Sequence, residues 1–126
     1  MDETSPTEPE LELLKAFWRV GAMSAREAHA EVAQALNWAP STTRTILERM
    51  RRKGLLARGS SHGLAVYSPV HRKIDVLGDA LKRLVRGVLE IDGTLPAAAF
   101  AGSQLLSPEE IQELDHLLND LPEEDA

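Results

Sequence analysis

The period of this sequence changes at Gly54. Up to that point apolar residues recur three or four positions apart, the spacing of one face of an α-helix. Beyond it lie two short β-compatible runs, "LLAR" and "LAVYS", separated by the Gly/Ser-rich turn "GSSHG" and closed by Pro69. The helical period then resumes from His71 to about Glu90. That order puts one β-hairpin inside an otherwise helical chain.

Helix starts are written in side-chain chemistry. Thr7 with Glu10, Ser24 with Glu27 and Ser107 with Glu110 each form a capping-box pattern, in which hydroxyl and carboxylate satisfy free backbone N–H groups. The first helix carries Leu11, Leu14 and Trp18, with Phe17 widening the stripe, and Gly21 as its stop. The second carries Ala28, Val32, Ala35 and Leu36 and ends near Asn37. Pro40 suits an early position of the third. There Thr43, Ile46, Leu47 and Met50 point inward, Ser41, Thr45, Glu48 and Arg52 point away, and Thr42, Arg44 and Arg49 lie on the flanks. Ile74, Leu77, Leu81, Leu84 and Val88 follow a 3, 4, 3, 4 spacing, a short heptad-like seam. "IDGTLPAAAFAG" is a break with room for a short Ala-rich helix. A last helix then carries Ile111, Leu114, Leu117, Leu118 and Leu121, and the tail 122–126 reads as disordered and acidic.

Charge is segregated along the chain. Residues 1–40 hold three Lys and Arg against seven Asp and Glu, residues 41–73 eight against one, and residues 74–126 three against twelve. A basic block between acidic ones fits a local polyanion site or a solvated helix face. The absence of cysteine removes disulfides and thiolate metal sites. His29, His62, His71 and His116 form no i, i+4 pair, so no metal is expected and no cofactor is implied. Trp18 and Trp38 read as packing residues rather than ligand stackers. Glu109 and Glu110 belong to a helix start, and neither a phosphate-cradling glycine loop nor a Ser, His and Asp set is apparent, so the chain does not read as an enzyme. No run reaches the roughly 18 apolar residues of a membrane span and the N-terminus is acidic, so a cytoplasmic protein with no membrane partner is expected.

Three helices, a hairpin and a basic, hydroxyl-rich third helix form the order of a winged helix-turn-helix. The fold expected is mainly α: a winged helix over residues 6–69 (three helices plus a β-hairpin wing), then a C-terminal helical dimerisation region over 70–121. A recognition helix at about 40–53 enters a major groove with its N-terminal residues near base edges. Ser41, Thr42 and Thr45 suit that position, and Arg44 is long enough for a bidentate contact with guanine. Arg49, Arg51, Arg52 and Lys53 would face phosphates, with Arg58 and His62 on the wing. Double-stranded DNA is the partner this implies. The C-terminal apolar stripes, Ile74, Leu77, Leu81, Leu84 and Val88 with Ile111, Leu114, Leu117 and Leu118, fit a subunit contact, and a two-fold dimer matches a dyad operator.

On "PELELLKAFWRVGAMSAREAH", "NWAPSTTRTILERMRRKGLL" and "VYSP", the sequence resembles the penicillinase-repressor (BlaI/MecI/CopY) family of bacterial transcriptional regulators, from about Pro6 to Leu121. The resemblance implies a homodimeric repressor that occupies a dyad operator. It places Thr42, Arg44 and Thr45 where the recognition helix meets the groove, and Arg49 at a phosphate contact. Copper sensing through a C-terminal cysteine cluster is excluded here. In the β-lactam branch a sensor protease triggers cleavage before a phenylalanine, usually after asparagine. The matching bond is Ala99–Phe100, with alanine in place of asparagine, so a sensor protease is a conditional partner only. The wing "GSSHG" is poorer in charge than is usual in the family. The competing reading is a winged-helix module that binds protein and has no operator of its own.

Overall fold

The structure, a computed structural model, describes residues 5–90 and 97–119. Leu121 and the tail 122–126 lie outside the described residues. The chain divides into two compact units, Met1–Arg72 and Lys73–Ala126.

In the first unit α1 spans Glu8–Val20, α2 Ala25–Leu36 and α3 Pro40–Arg52, and strands β1 (Leu56–Ser61) and β2 (Leu64–Pro69) pair antiparallel. Both expected capping boxes are formed. Thr7 N–H donates to Glu10 Oε1 at 2.9 Å and Glu10 N–H to Thr7 Oγ1 at 3.4 Å; the Ser24 and Glu27 pair repeats this at 2.9 and 3.2 Å. Each cap satisfies two N–H groups that lack a helical partner. α1 stops at Gly21, whose φ of +105° suits a residue without Cβ, and α2 stops at Asn37 in the left-handed region.

The hairpin turn is tighter than the run "GSSHG" suggests. Gly59, Ser60 and Ser61 stay in β1, opposite Val66, Ala65 and Leu64. The connection is His62–Gly63, with φ of +52° and +80°. Two successive positive φ values mark a type I′ turn, whose twist matches that of the flanking strands. A two-stranded hairpin is marginal alone, and here helices support it. Met23, between α1 and α2, exchanges backbone bonds of 3.0 and 2.8 Å with Tyr67, while Leu55, Leu56 and Tyr67 are buried.

The core of this unit takes Leu13, Leu14, Ala16 and Phe17 from α1, Ala28 and Val32 from α2, and Ile46, Leu47 and Met50 from α3. Each fully buried large side chain contributes about 1.5–3 kcal/mol of transfer free energy. The inward stripe expected for α3, Thr43 included, is the buried one. That of α1 is rotated: Leu11 and Trp18 are half-buried, while Glu10 is fully buried. A purely apolar wheel misses this, because the Glu10 carboxylate is paired and can therefore be buried.

In the second unit α4 (Lys73–Lys82) runs into a π-helical turn, Arg83–Val88; a 3₁₀ turn, Ala97–Phe100, and α5 (Pro108–Asn119) follow. Ser107 and Glu110 make the third reciprocal cap, at 2.9 and 3.1 Å. Ile74, Leu114 and Leu118 form a buried cluster, against which Leu81, Phe100, Leu106 and Leu117 pack. Three residues that the sequence pattern offered to a second subunit are therefore covered by the chain itself. The π turn explains where the seam breaks. Its wider bonding, with Leu89 N–H on Leu84 O at 2.9 Å, shifts the phase so that Val85 is buried, while Leu84 and Val88 are 47% and 69% exposed.

Candidate nucleic-acid interface

Helix α3 owes its placement to its neighbours. Thr43, fully buried, receives the Trp38 indole N–H at 2.8 Å, and its hydroxyl lies 2.8 Å from His29 Nδ1. This ties α2, the α2–α3 turn and α3 at one point. At the other end, Lys53 Nζ donates to Glu10 Oε1 at 2.6 Å and to Ser5 O at 3.1 Å, and Arg49 Nε donates to Glu10 Oε2 at 3.3 Å. Burial pushes the Glu10 carboxyl up. The Lys53 ammonium, the Thr7 N–H and the Arg49 guanidinium outweigh it and hold the group below its ordinary 4.5. Both ends of α3 are thus fixed by polar bonds beneath an outward face.

That outward face carries Ser41, Arg44, Thr45, Arg49 and Arg52, all exposed, with Thr42 half-buried beside them. Ala39, at the N-cap, makes no side-chain bond to the helix start, so the positive end of the helix dipole is not covered by a cap. The Thr45 hydroxyl donates to Ser41 O at 3.1 Å, which uses its proton and leaves this exposed side chain an acceptor. Near its N-terminus such a surface offers the long cation Arg44 and the hydroxyls of Ser41, Thr42 and Thr45, groups that read base edges.

The basic block is less free than its charge count suggests. Glu10 engages Arg49 and Lys53. Glu48 engages Arg51 at 3.0 Å and Arg58 at 3.2 Å. Lys53 keeps only 19% of its side chain exposed and is committed to the interior, whereas Arg49 keeps 49%. Among the described residues, Arg44 and Arg52 have no carboxylate partner. Arg58 and the turn residue His62 both lie on the wing, with the His62 ring 3.3 Å from Ser61 Oγ. Between the end of α3 and the hairpin runs an open groove of about 750 Å³ lined by Arg51, Ala57, Arg58, Gly59 and Ser60. Glu10, Tyr67 and the His29–Thr43–Trp38 contact escaped sequence reasoning. The hydroxyl, indole and imidazole were visible, but their partners are distant in sequence.

A protein-family model described as penicillinase repressor matches residues 6–120. The chain belongs to the penicillinase repressor family. It is 28% identical to the penicillinase repressor of Bacillus licheniformis over 118 residues, 90% of this chain and 89% of that protein. It is 26% identical to the methicillin resistance regulatory protein MecI of Mammaliicoccus sciuri over 110 residues, 87% of this chain and 89% of that one. The solution structure of the DNA binding domain of the repressor BlaI superposes with a TM-score of 0.50 at 27% identity, covering 58% of this chain and 90% of that chain. The fold is mainly helical with a winged-helix unit, as the change of period implied. Among the described residues no helix is long and apolar enough to cross a membrane.

Proposed function

We propose that this penicillinase-repressor family member is a transcriptional repressor that binds double-stranded DNA as a homodimer, each subunit placing α3 in one half-site of a dyad operator. One observation carries the reading. The outward face of α3 joins Ser41, Thr42, Arg44 and Thr45 near its N-terminus to Arg49 and Arg52 further along, on a fold similar to the BlaI DNA binding domain. Base edges would be read by the first group and phosphates engaged by the second. Repression follows from occupying a promoter. The exposed Leu84, Val88 and Leu89 support a subunit contact in the second unit. Ala99 is exposed while the half-buried Phe100 packs on the Ile74 cluster. Cleavage at that bond would therefore require the 3₁₀ turn to loosen.

The test is a titration of the protein onto its own upstream promoter fragment and onto a scrambled duplex, at several salt concentrations. Tight, sequence-dependent binding at physiological salt is the expected result. Equal, weak binding to both duplexes, followed by no enrichment in a selection from genomic fragments, overturns the operator reading and favours a protein-binding module.

A further inference from the structure

Glu48 is the one acidic residue among positions 41–73, and it points from the DNA-facing helix into the angle between α3 and the wing. Its carboxylate joins three elements. Oε1 accepts from Arg51, one turn along α3, at 3.0 Å; Oε2 accepts from Arg58 of β1 at 3.2 Å and from the Tyr67 hydroxyl of β2 at 2.5 Å. The tyrosine is only 5% exposed, so its bond comes from the interior, while the two arginine side chains are 40% and 49% exposed. The Tyr67 hydroxyl and the two guanidinium groups outweigh burial and keep the Glu48 carboxyl below its ordinary value, while burial and the carboxylate keep the Tyr67 phenol protonated. The pair is therefore a standing ion and its donor. The two arginines that Glu48 holds line the groove beside the wing.

A carboxylate at this place does two things to a nucleic-acid surface. It cancels positive charge where phosphates would lie. It also holds two guanidinium groups in one geometry before any contact is made. Sequence-independent binding depends on the number of phosphates neutralised, so it suffers from the cancellation. A bound operator, which fixes the register of helix and wing, benefits from the fixed geometry. We propose that Glu48 is a specificity-determining positioning residue: by restraining Arg51 and Arg58 against Tyr67, it lowers affinity for any polyanion while keeping both arginines placed for the one duplex that fits. This deepens the DNA reading given above and rests on it.

The experiment compares the unaltered protein, Glu48→Gln and Tyr67→Phe on a scrambled duplex across a salt series, with thermal unfolding recorded for each. Glu48→Gln is nearly isosteric and keeps an acceptor for the Tyr67 hydroxyl. It is expected to tighten scrambled-duplex binding and to steepen the slope of log K against log salt by about 1–2, one increment of roughly 0.9 for each arginine released to a phosphate. Extrapolated from molar salt, each increment is worth on the order of fivefold in affinity at 0.15 M. Tyr67→Phe retains the charge and is expected to leave the slope unchanged. A Glu48→Gln slope and affinity equal to those of the unaltered protein would overturn the assignment, as would the same steepening from Tyr67→Phe, which would trace the effect to packing. Failure of the unaltered protein to retain any duplex, at low salt too, is a separate outcome, and it sinks the DNA reading itself.

Discussion

At the scale of single residues, the side chains that matter most are acids that face the basic segment. Glu10 is fully buried yet ionised, because Lys53 and Arg49 face it and Thr7 donates its N–H. Removing one partner of a buried pair leaves the other charge uncompensated. Arg49 is half-exposed and Lys53 partly so, and water offsets some of that loss. Glu10→Gln should accordingly cost about 2 kcal/mol in urea unfolding at neutral pH. Its pH signature has a definite sign. A carboxyl held below 4.5 in the folded state contributes stability that is present above the unfolded pKa and is lost as pH falls through the folded one. The stability difference between the unaltered protein and Glu10→Gln should thus shrink below about pH 4.5. A gap that persists unchanged to lower pH would show that the carboxylate's charge is not the cause. Arg44, without a carboxylate among the described residues, belongs to the outer surface instead. Arg44→Ala should leave the unfolding midpoint in place, cost about 1–3 kcal/mol of operator binding and relax preference at one base pair, as read from competition with single-base variants of the selected site. Uniform loss over all variants would make Arg44 a phosphate contact.

Elements follow from local chemistry where they are legible, and from distant partners where they are not. Capping boxes at Thr7, Ser24 and Ser107, the stop at Gly21 and the change of period after Gly54 could be read directly, because each device acts within a few residues of itself. The outward set on α3 was legible for the same reason, because its inward stripe is regular, with the exception of Glu48, which is half-buried and turned toward Tyr67. Pairing across the fold was not. Glu10 and Lys53 are 43 positions apart and Glu48 and Tyr67 are 19 apart, so nothing in a helical wheel separates a phosphate-facing lysine from one anchored inward. The seam of α4 is limited in another way. Its regular period holds only as far as Lys82, where the π turn Arg83–Val88 changes the phase. Gly78, which the sequence pattern does not single out, is a point of close approach to α5: a Cβ there would stand 3.2 Å from Leu117 Cδ1 and 3.6 Å from Leu114 Cδ1. Gly78→Val should therefore overpack the α4–α5 contact, at a cost of about 1–3 kcal/mol, with loss of thermal stability in the second unit. An unchanged midpoint would mean that Leu117 swings aside and that the close approach is not needed.

For the molecule as a whole, the open question is what covers the apolar side chains left by folding. The second unit buries Ile74, Leu114 and Leu118 on its own, and the large apolar side chains it leaves exposed among the described residues are Leu84, Val88 and Leu89, at 47%, 69% and 57% exposure. All three lie in or beside the π turn that put them out of phase with the core. Isolated exposed apolar residues need no explanation, but three within six positions form a patch, and a two-fold contact would let each copy cover the other. Such a dimer also serves recognition, since linking two half-site contacts raises overall affinity by about 10²–10⁴ without a new contact to DNA. Val88→Asp combined with Leu89→Asp places four charges across that contact in a dimer, on side chains that the single chain leaves exposed. The folded unit should therefore keep its midpoint, while sedimentation at micromolar concentration should shift from dimer to monomer. Binding to a two-half-site duplex should fall toward that of a single half-site, roughly a hundredfold or more. A variant that still sediments as a dimer would move the subunit contact elsewhere. One that is monomeric yet binds the full dyad undiminished would mean that occupancy of the operator does not depend on subunits joined through this patch.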